Sequence, residues 1–258
     1  QHSLIENNHA TSGNGGRLFA TTYAGEEIII DGCSFRENTA TRSGGLQIQG
    51  EGMTSLLNSK IYNNTAFTSG GGLQNTSNTL LMYNCLVFNN DGGNGGAMNH
   101  SGGKVFNCSF VNNTGNIYFG NTSGNYEFVN NIIHGNLSAS GANTSVSGGV
   151  LDNADMIFQN NAVGLTQENM DNRPGTFEDN IPISADSHAP HFVGSSTFVG
   201  TPENDDQKQE LEYIDLNILQ TSPCYNTGKT IPQVTRDIMG TPRPQGGAYD
   251  MGAYELVQ

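Results

Sequence analysis

Six short segments of this 258-residue chain share one pattern, a small residue at the start, an apolar residue two positions later and an asparagine at the close. They are Ser3 to Asn8 (SLIENN), Cys33 to Asn38 (CSFREN), Ser59 to Asn64 (SKIYNN), Cys85 to Asn90 (CLVFNN), Cys108 to Asn113 (CSFVNN) and Asn131 to Asn136 (NIIHGN). The closing asparagines follow one another at intervals of 30, 26, 26, 23 and 23 residues. A second marker keeps step with the first: Gly15-Gly16, Gly44-Gly45-Leu46, Gly71-Gly72-Leu73, Gly95-Gly96-Ala97, a degenerate Gly115-Asn116-Ile117, and Gly148-Gly149-Val150. Two independent markers in phase establish a repeat, and a period of this length is one coil of a solenoid.

Strand stacking explains each marker. Parallel strands about 4.8 Å apart place the same coil position of successive turns above one another, so each inward column needs residues of similar shape. Ser3, Cys33, Ser59, Cys85, Cys108 and Asn131 form a small column at a tight inward corner, and Ile5, Phe35, Ile61, Val87, Phe110 and Ile133 form an apolar column that builds the core. The asparagines belong at a bend, where one amide both donates and accepts along the stack and a left-handed backbone is tolerated. The glycine pairs belong at another bend, where no Cβ fits. Apolar residues at alternate positions exclude helical repeats, and a propeller would repeat near 40 residues. The reading is all-β, a right-handed parallel β-helix of roughly ten coils, about 50 Å long at the strand spacing. Residues 1–164 are its regular coils, with Asn, Cys and Gly ladders; residues 165–258 are less regular C-terminal coils and the closing segment of the same solenoid.

Composition agrees and excludes some functions. There are 34 glycines and only 13% charged residues, which suits short strands and many turns. Lys and Arg total 10 against 24 Asp and Glu, a net charge of −14. Nucleic acid and anionic membrane surfaces attract basic patches, so neither is an expected partner. No apolar run is long enough to insert in a membrane as a helix, and the first residues lack a signal peptide's basic start and apolar core. If the protein is exported, its signal has been removed. Ser3 already occupies the inward corner with no cap ahead of it, so the chain is expected to be part of a longer one.

The coupled Phe-x-x-Asn and Gly-Gly-apolar signatures, at Phe35 to Asn38, Phe110 to Asn113 and the glycine series above, resemble the repeats of polymorphic outer-membrane proteins, which are autotransported β-helical adhesins. Three later segments are similar to the ending of many bacterial right-handed β-helix proteins of the pectate-lyase-like superfamily. They are Leu219 to Gly228 (LQTSPCYNTG), Asp237 to Pro244 (DIMGTPRP) and Tyr249 to Glu255 (YDMGAYE), with Cys224 and Tyr225 in place of the usual small and apolar pair. The two resemblances leave roughly residues 165 to 212 unmatched. They imply an extracellular or bacterial outer-membrane-surface setting but no single activity, because the fold hosts lyases, hydrolases and adhesins alike.

Chemistry on this fold needs carboxylates that bind Ca²⁺ on one face and a nearby Lys or Arg. Arg36, Lys60 and Lys104 fall on strand segments, and none is expected to have an Asp or Glu cluster in register on neighbouring coils; no catalytic residue is assigned. Acidic groups concentrate in loops instead. Asp91, Asp152, Asp155, Asp205 and Asp206 are the candidate calcium ligands; no cofactor is otherwise expected, calcium being the one these loops could accept. Asp186, His188 and His191 lie within six residues but lack the spacing that sets metal ligands on one helical face. Cys85 and Cys108 occupy adjacent coils with parallel Cβ vectors, which favours buried free thiols over a strained disulfide. The long loops able to host a site are residues 137 to 147 and 165 to 185. The expected function is a surface-exposed or secreted structural or adhesive module, non-catalytic, that contacts an extracellular glycan or surface protein. The alternative is a polysaccharide lyase or glycoside hydrolase, or an inactive carbohydrate-binding relative.

Overall fold

The computed structural model describes residues 1–11, 18–121, 124–137, 146–147, 149–183, 190–194, 206 and 214–257. Short strands repeat in the same order and stack in parallel, each on its counterpart one coil away. Sheet 1 holds eight strands: Leu4–Glu6, Ser34–Arg36, Lys60–Tyr62, Leu86–Phe88, Ser109–Val111, Ile132–His134, Ala162–Val163 and Ile181–Pro182. Sheet 2 holds Leu18–Thr22, Leu46–Gly50, Leu73–Asn75, Met98–His100, Ile117–Phe119 and Val146–Ser147. Sheet 3 holds Glu27–Asp31, Met53–Leu57, Leu80–Tyr83, Gly103–Phe106, Tyr126–Val129, Ile157–Gln159 and Thr176–Glu178. Thr39–Arg42, Thr65–Ser69 and Asp91–Asn94 make a smaller sheet 4 between sheets 1 and 2. This is the all-β parallel β-helix that the repeat requires.

Register follows the repeat. Phe35 sits beside Ile61, Ile61 beside Val87, Val87 beside Phe110 and Phe110 beside Ile133, all buried. Leu46, Leu73, Met98 and Ile117 line the interior from sheet 2, and Leu56, Met82, Val105, Phe128 and Phe158 line it from sheet 3. All four cysteines are free and buried.

The asparagine column is a continuous inner ladder. Nδ2 of Asn8 donates to Oδ1 of Asn38 at 2.8 Å, and the relay continues through Asn64, Asn90, Asn113 and Asn136 at 2.7 to 3.0 Å. Each acceptor also takes the backbone N–H of the preceding rung, as Asn113 Oδ1 does from Asn90 N at 2.9 Å. The small column works alike, with Ser59 Oγ accepting from Cys33 N and Asn131 Oδ1 from Cys108 N. The left-handed residue at the bend is not the ladder asparagine but its predecessor: Glu37, Asn63, Asn89 and Asn112 have φ of 50 to 55°. A positive φ there turns the chain and leaves the ladder amide free to point inward. At the glycine pairs the constraint is crowding between coils: a Cβ on Gly71 would stand 2.3 Å from the carbonyl oxygen of Asp91.

The number of coils departs from the expected ten. Five turns carry the chain from Leu4–Glu6 to Ile132–His134, and two less regular ones add the last two strands of sheet 1. In the second of these a short helix, Gln167–Asp171, with Thr166 Oγ1 accepting from Asn169 N, occupies the arc between sheets 1 and 3. The described residues from 214 onward do not coil. They run along the outside of the stack and close it from the side, because the outer face of sheet 1 is itself apolar. Tyr62, Leu86, Phe88 and Val111 bury against Leu216, Ala253 and Tyr254; Ile132 and Ala162 bury against Ile218, Cys224 and Met251. Phe106 and Val129 of sheet 3 bury against Ile231, Val234 and Tyr249.

A second, outer set of asparagines fastens this segment. Asn84, Asn107, Asn130 and Asn160 hold left-handed angles of 48 to 61° at the turn into sheet 1. Their amides donate to the carbonyl oxygens of Arg236 at 2.6 Å, Asp250 at 3.0 Å, Lys229 at 2.7 Å and Thr227 at 3.2 Å. The turn residues that bend the coil thus also dock the chain that seals it.

Candidate functional site

With sheet 1 covered, the exterior of sheets 2 and 3 is what the coils present. On sheet 3 the residues at one outward position, Ile29, Ser55, Leu81, Lys104, Glu127, Ile157 and Thr176, are neighbours across successive coils. Four of them, Leu81, Lys104, Glu127 and Ile157, form the floor of a groove of about 790 Å³ that reaches Met53 and Tyr126. The two charges on this floor neutralise each other, Lys104 Nζ lying 2.6 Å from Glu127 Oε2. Gln233, on the C-terminal segment, forms part of this wall and of the wall of an adjoining cleft of about 510 Å³.

That cleft is polar. His2, Asp31, Lys60, Tyr83 and Arg236 line it. Asp31 Oδ1 accepts from Asn58 Nδ2 at 2.8 Å, and the carboxylate together with burial holds the Tyr83 phenol above its usual range, burial being the larger cause. Arg236 Nη1 donates to Gly240 O at 2.7 Å, which fixes the guanidinium along the wall. Two cations, Lys60 and Arg236, and two carboxylates, Asp31 and Asp237, around a cleft can orient a hydroxyl-rich ligand.

The segment with the most specific sequence signal builds a clasp. Arg243, 7% exposed, donates from Nη1 to Glu255 Oε2 at 2.9 Å and to Asp250 O at 3.0 Å, and from Nη2 to Gly252 O at 2.9 Å. Glu255 also accepts from Gln245 N and Asp250 N, and Asp250 accepts from Asn226 N and Leu256 N. Asp237 accepts from Met239 N and Thr241 N through Oδ1 and from Glu255 N through Oδ2. Burial raises the Asp250 and Glu255 carboxyls and lowers the Arg243 guanidinium, with the opposite charges working against each shift. Every carboxylate of the signature is saturated by the segment's own backbone and by Arg243, so the polar residues of the signature hold the closing segment together.

The residues singled out from sequence are dispersed. Asp91 begins a strand of sheet 4, its carboxyl raised by burial. Asp152 pairs with Arg173 at 2.7 Å, and Asp155 sits at the groove rim. Asp206 is exposed; Asp205, Asp186 and His188 lie outside the described residues. His191 is half-buried, its Nδ1 3.2 Å from Thr221 O. Among the described residues no three His, Cys, Asp or Glu side chains stand close enough to share a metal ion. Single carboxylates, not clusters, stand in register with two of the strand cations. Glu6 is 2.7 Å from Arg36 and Glu127 is beside Lys104, each one coil away. Both pairs follow from spacing of one full coil, a signal present in the sequence but obscured by unequal coil lengths. Lys60 faces the cleft and Lys104 the groove.

A family model described as right handed beta helix region matches residues 1–133. No curated protein matches the chain. Among solved structures, the crystal structure of pectate lyase Pel9A is similar at 16% identity, over 92% of this chain and 69% of that one, with a TM-score of 0.34. A likeness at that level carries no inference about activity.

Proposed function

This chain belongs to the right-handed β-helix family, and on that premise we propose that it is a non-catalytic structural or adhesive module of the cell exterior that holds an extracellular glycan or surface protein. The observation that carries the reading is the division of the exterior. Sheet 1 is sealed by the C-terminal segment, while sheets 2 and 3 present long outer faces crossing five or more coils. The charges on the coils pair with one another, as Arg36 with Glu6 and Lys104 with Glu127 do. A long face of this kind suits a chain-like partner better than one small substrate. The calcium expectation for the acidic loops belongs to the same test. The intact protein is screened on a glycan array with and without EDTA, with product release followed on every polysaccharide that binds. Binding without turnover supports the reading, and loss of binding in EDTA assigns it to calcium. Turnover, or absence of binding to every glycan and surface protein tried, overturns it.

One observation favours the alternative of a polysaccharide lyase or hydrolase: Lys60, Asp31 and Arg236 line the same cleft. Under that reading Lys60→Ala abolishes turnover without loss of fold.

A further inference from the structure

The outer face of sheet 2 differs from every other face of the coil. The side chains between its inward Leu46/Ile48, Leu73/Asn75, Met98/His100 and Ile117/Phe119 pairs point outward and form one column by register: Phe19, Gln47, Gln74, Asn99, Tyr118 and Ser147. Thr21 and Gln49 extend it in the first two coils. None of these eight is charged, in a protein of net charge −14. The column crosses five strand intervals of about 4.8 Å, roughly 24 Å in all.

Two of its polar atoms are incomplete. Gln47 is 7% exposed and its Oε1 has no hydrogen-bond partner, and Thr21 Oγ1, on the adjoining strand opposite Gln49, has none either. A buried acceptor left unmade costs about 1–3 kcal/mol, whereas the inner asparagine ladder from Asn38 to Asn113 pairs both its amide nitrogen and its amide oxygen at every rung. Asn99 and Tyr118 make no side-chain hydrogen bond among the described residues, and Phe19 is 47% exposed. The C-terminal segment, which covers sheet 1, does not reach this face among the described residues.

Resting on the glycan reading above, we propose that the outer face of sheet 2 binds an uncharged, linear polysaccharide along the solenoid axis, one side chain to about one sugar residue. Charge selects the ligand class: a charged polymer finds no counter-ion on this column, while the sheet 3 groove carries Lys104 and Glu127 and the adjoining cleft carries Asp31, Lys60 and Arg236. Spacing selects the shape. An extended glycan advances along its axis by about one strand spacing per pyranose ring, so an amide or hydroxyl meets each ring in turn. Amides supply donor and acceptor together, and Phe19 and Tyr118 supply apolar ring faces at two rungs of the column. Gln47 completes its acceptor by turning out toward a sugar hydroxyl.

The test is calorimetric titration of the intact protein with cello- and chito-oligosaccharides of two to eight residues, and with polygalacturonate as the charged comparison. Affinity is expected to rise with length and level off at about six residues, one for each side chain of the column. Asn99→Ala should weaken binding about 3- to 10-fold with thermal unfolding unchanged; Gln74→Ala should weaken it as much and also lower the unfolding temperature, because the buried Ser43 hydroxyl loses its Gln74 Oε1 acceptor; EDTA should have no effect. Leu81→Asn, in the sheet 3 groove, should bind as the wild type does. If the glycans bind but the sheet 2 variants are silent and Leu81→Asn weakens binding, this face is wrong while the glycan reading stands. Polygalacturonate binding that Gln74→Ala weakens overturns the uncharged-ligand claim. If no saccharide binds at all, both this proposal and the glycan reading fall.

Discussion

Replacing Arg243 with methionine should cost this protein more than any substitution on its exposed faces. The guanidinium donates to one carboxylate oxygen and two carbonyl oxygens, all buried. Methionine keeps most of the volume and removes every donor. Glu255, 3% exposed, then retains only two backbone donors, Gln245 N and Asp250 N. Breaking a buried pair by removing one partner costs about 3–5 kcal/mol, chiefly because the remaining charge is stranded. Part of this is recovered when Glu255, whose carboxyl burial already raises, takes up a proton. A loss of about 3 kcal/mol at pH 7, smaller at pH 5, is therefore expected. Urea unfolding followed by circular dichroism reads it directly; the chain has no tryptophan to report by fluorescence. The double variant Arg243→Met with Glu255→Gln should regain about half the loss, since no charge is stranded. A loss below about 1 kcal/mol, or a double variant as unstable as the two single losses added, would refute the clasp.

Three further outcomes follow from the coil. Asn90→Ala leaves the Asn64 backbone N–H and the Asn113 acceptor short of partners inside the stack, and should cost about 3 kcal/mol in the same urea assay; Asn89→Gly, one residue earlier, keeps the left-handed turn but loses the bond from Asn89 Nδ2 to Asn63 Oδ1 and should cost about half as much. Gly71→Ala meets the Asp91 carbonyl and should lose about 3 kcal/mol, whereas Gly247→Ala, with nothing within 4 Å of its Cβ, should be near neutral by thermal unfolding. His100 is fully buried against Phe119, Tyr126 and Phe128, and desolvation pushes its pKa down to about 3 from 6.5. The unfolded chain takes the proton first, so this contribution to stability is intact above pH 6.5 and falls by about 1.4 kcal/mol per unit between pH 6.5 and 3. His100→Phe should flatten the urea midpoint against pH by one proton in that window, and equal slopes would contradict the assignment.

How much of this was legible in the residues varies along the chain. The inner column of Phe35, Ile61, Val87, Phe110 and Ile133 and the ladder from Asn8 to Asn136 were readable because a coil repeats its environment every turn, and a repeated environment demands a repeated residue. The outer role of Asn84, Asn107, Asn130 and Asn160 was hidden, because these asparagines serve a turn and a distant segment at once and only the first service is local. The sealed face of sheet 1 did leave a trace. Leu86-Val87-Phe88 and Ile132-Ile133 are continuous apolar runs, the pattern of strands buried on both faces, where a one-sided strand would alternate. Reading that trace would have shortened the expected stack, since something has to cover those side chains. The groove and cleft on sheet 3 were not legible, because Gln233 and Arg236 reach them from a segment with no repeat to set its register.

The most direct test of the exterior-binding account is to follow binding and product release together, on one saccharide and one sample of intact protein. Isothermal titration with a hexasaccharide, with the recovered ligand then sized by mass spectrometry, does both. The account predicts saturable binding and a hexasaccharide recovered whole. Shortened or unsaturated fragments, lost in Lys60→Ala, would contradict it and assign the chemistry to the cleft beside Asp31 and Arg236.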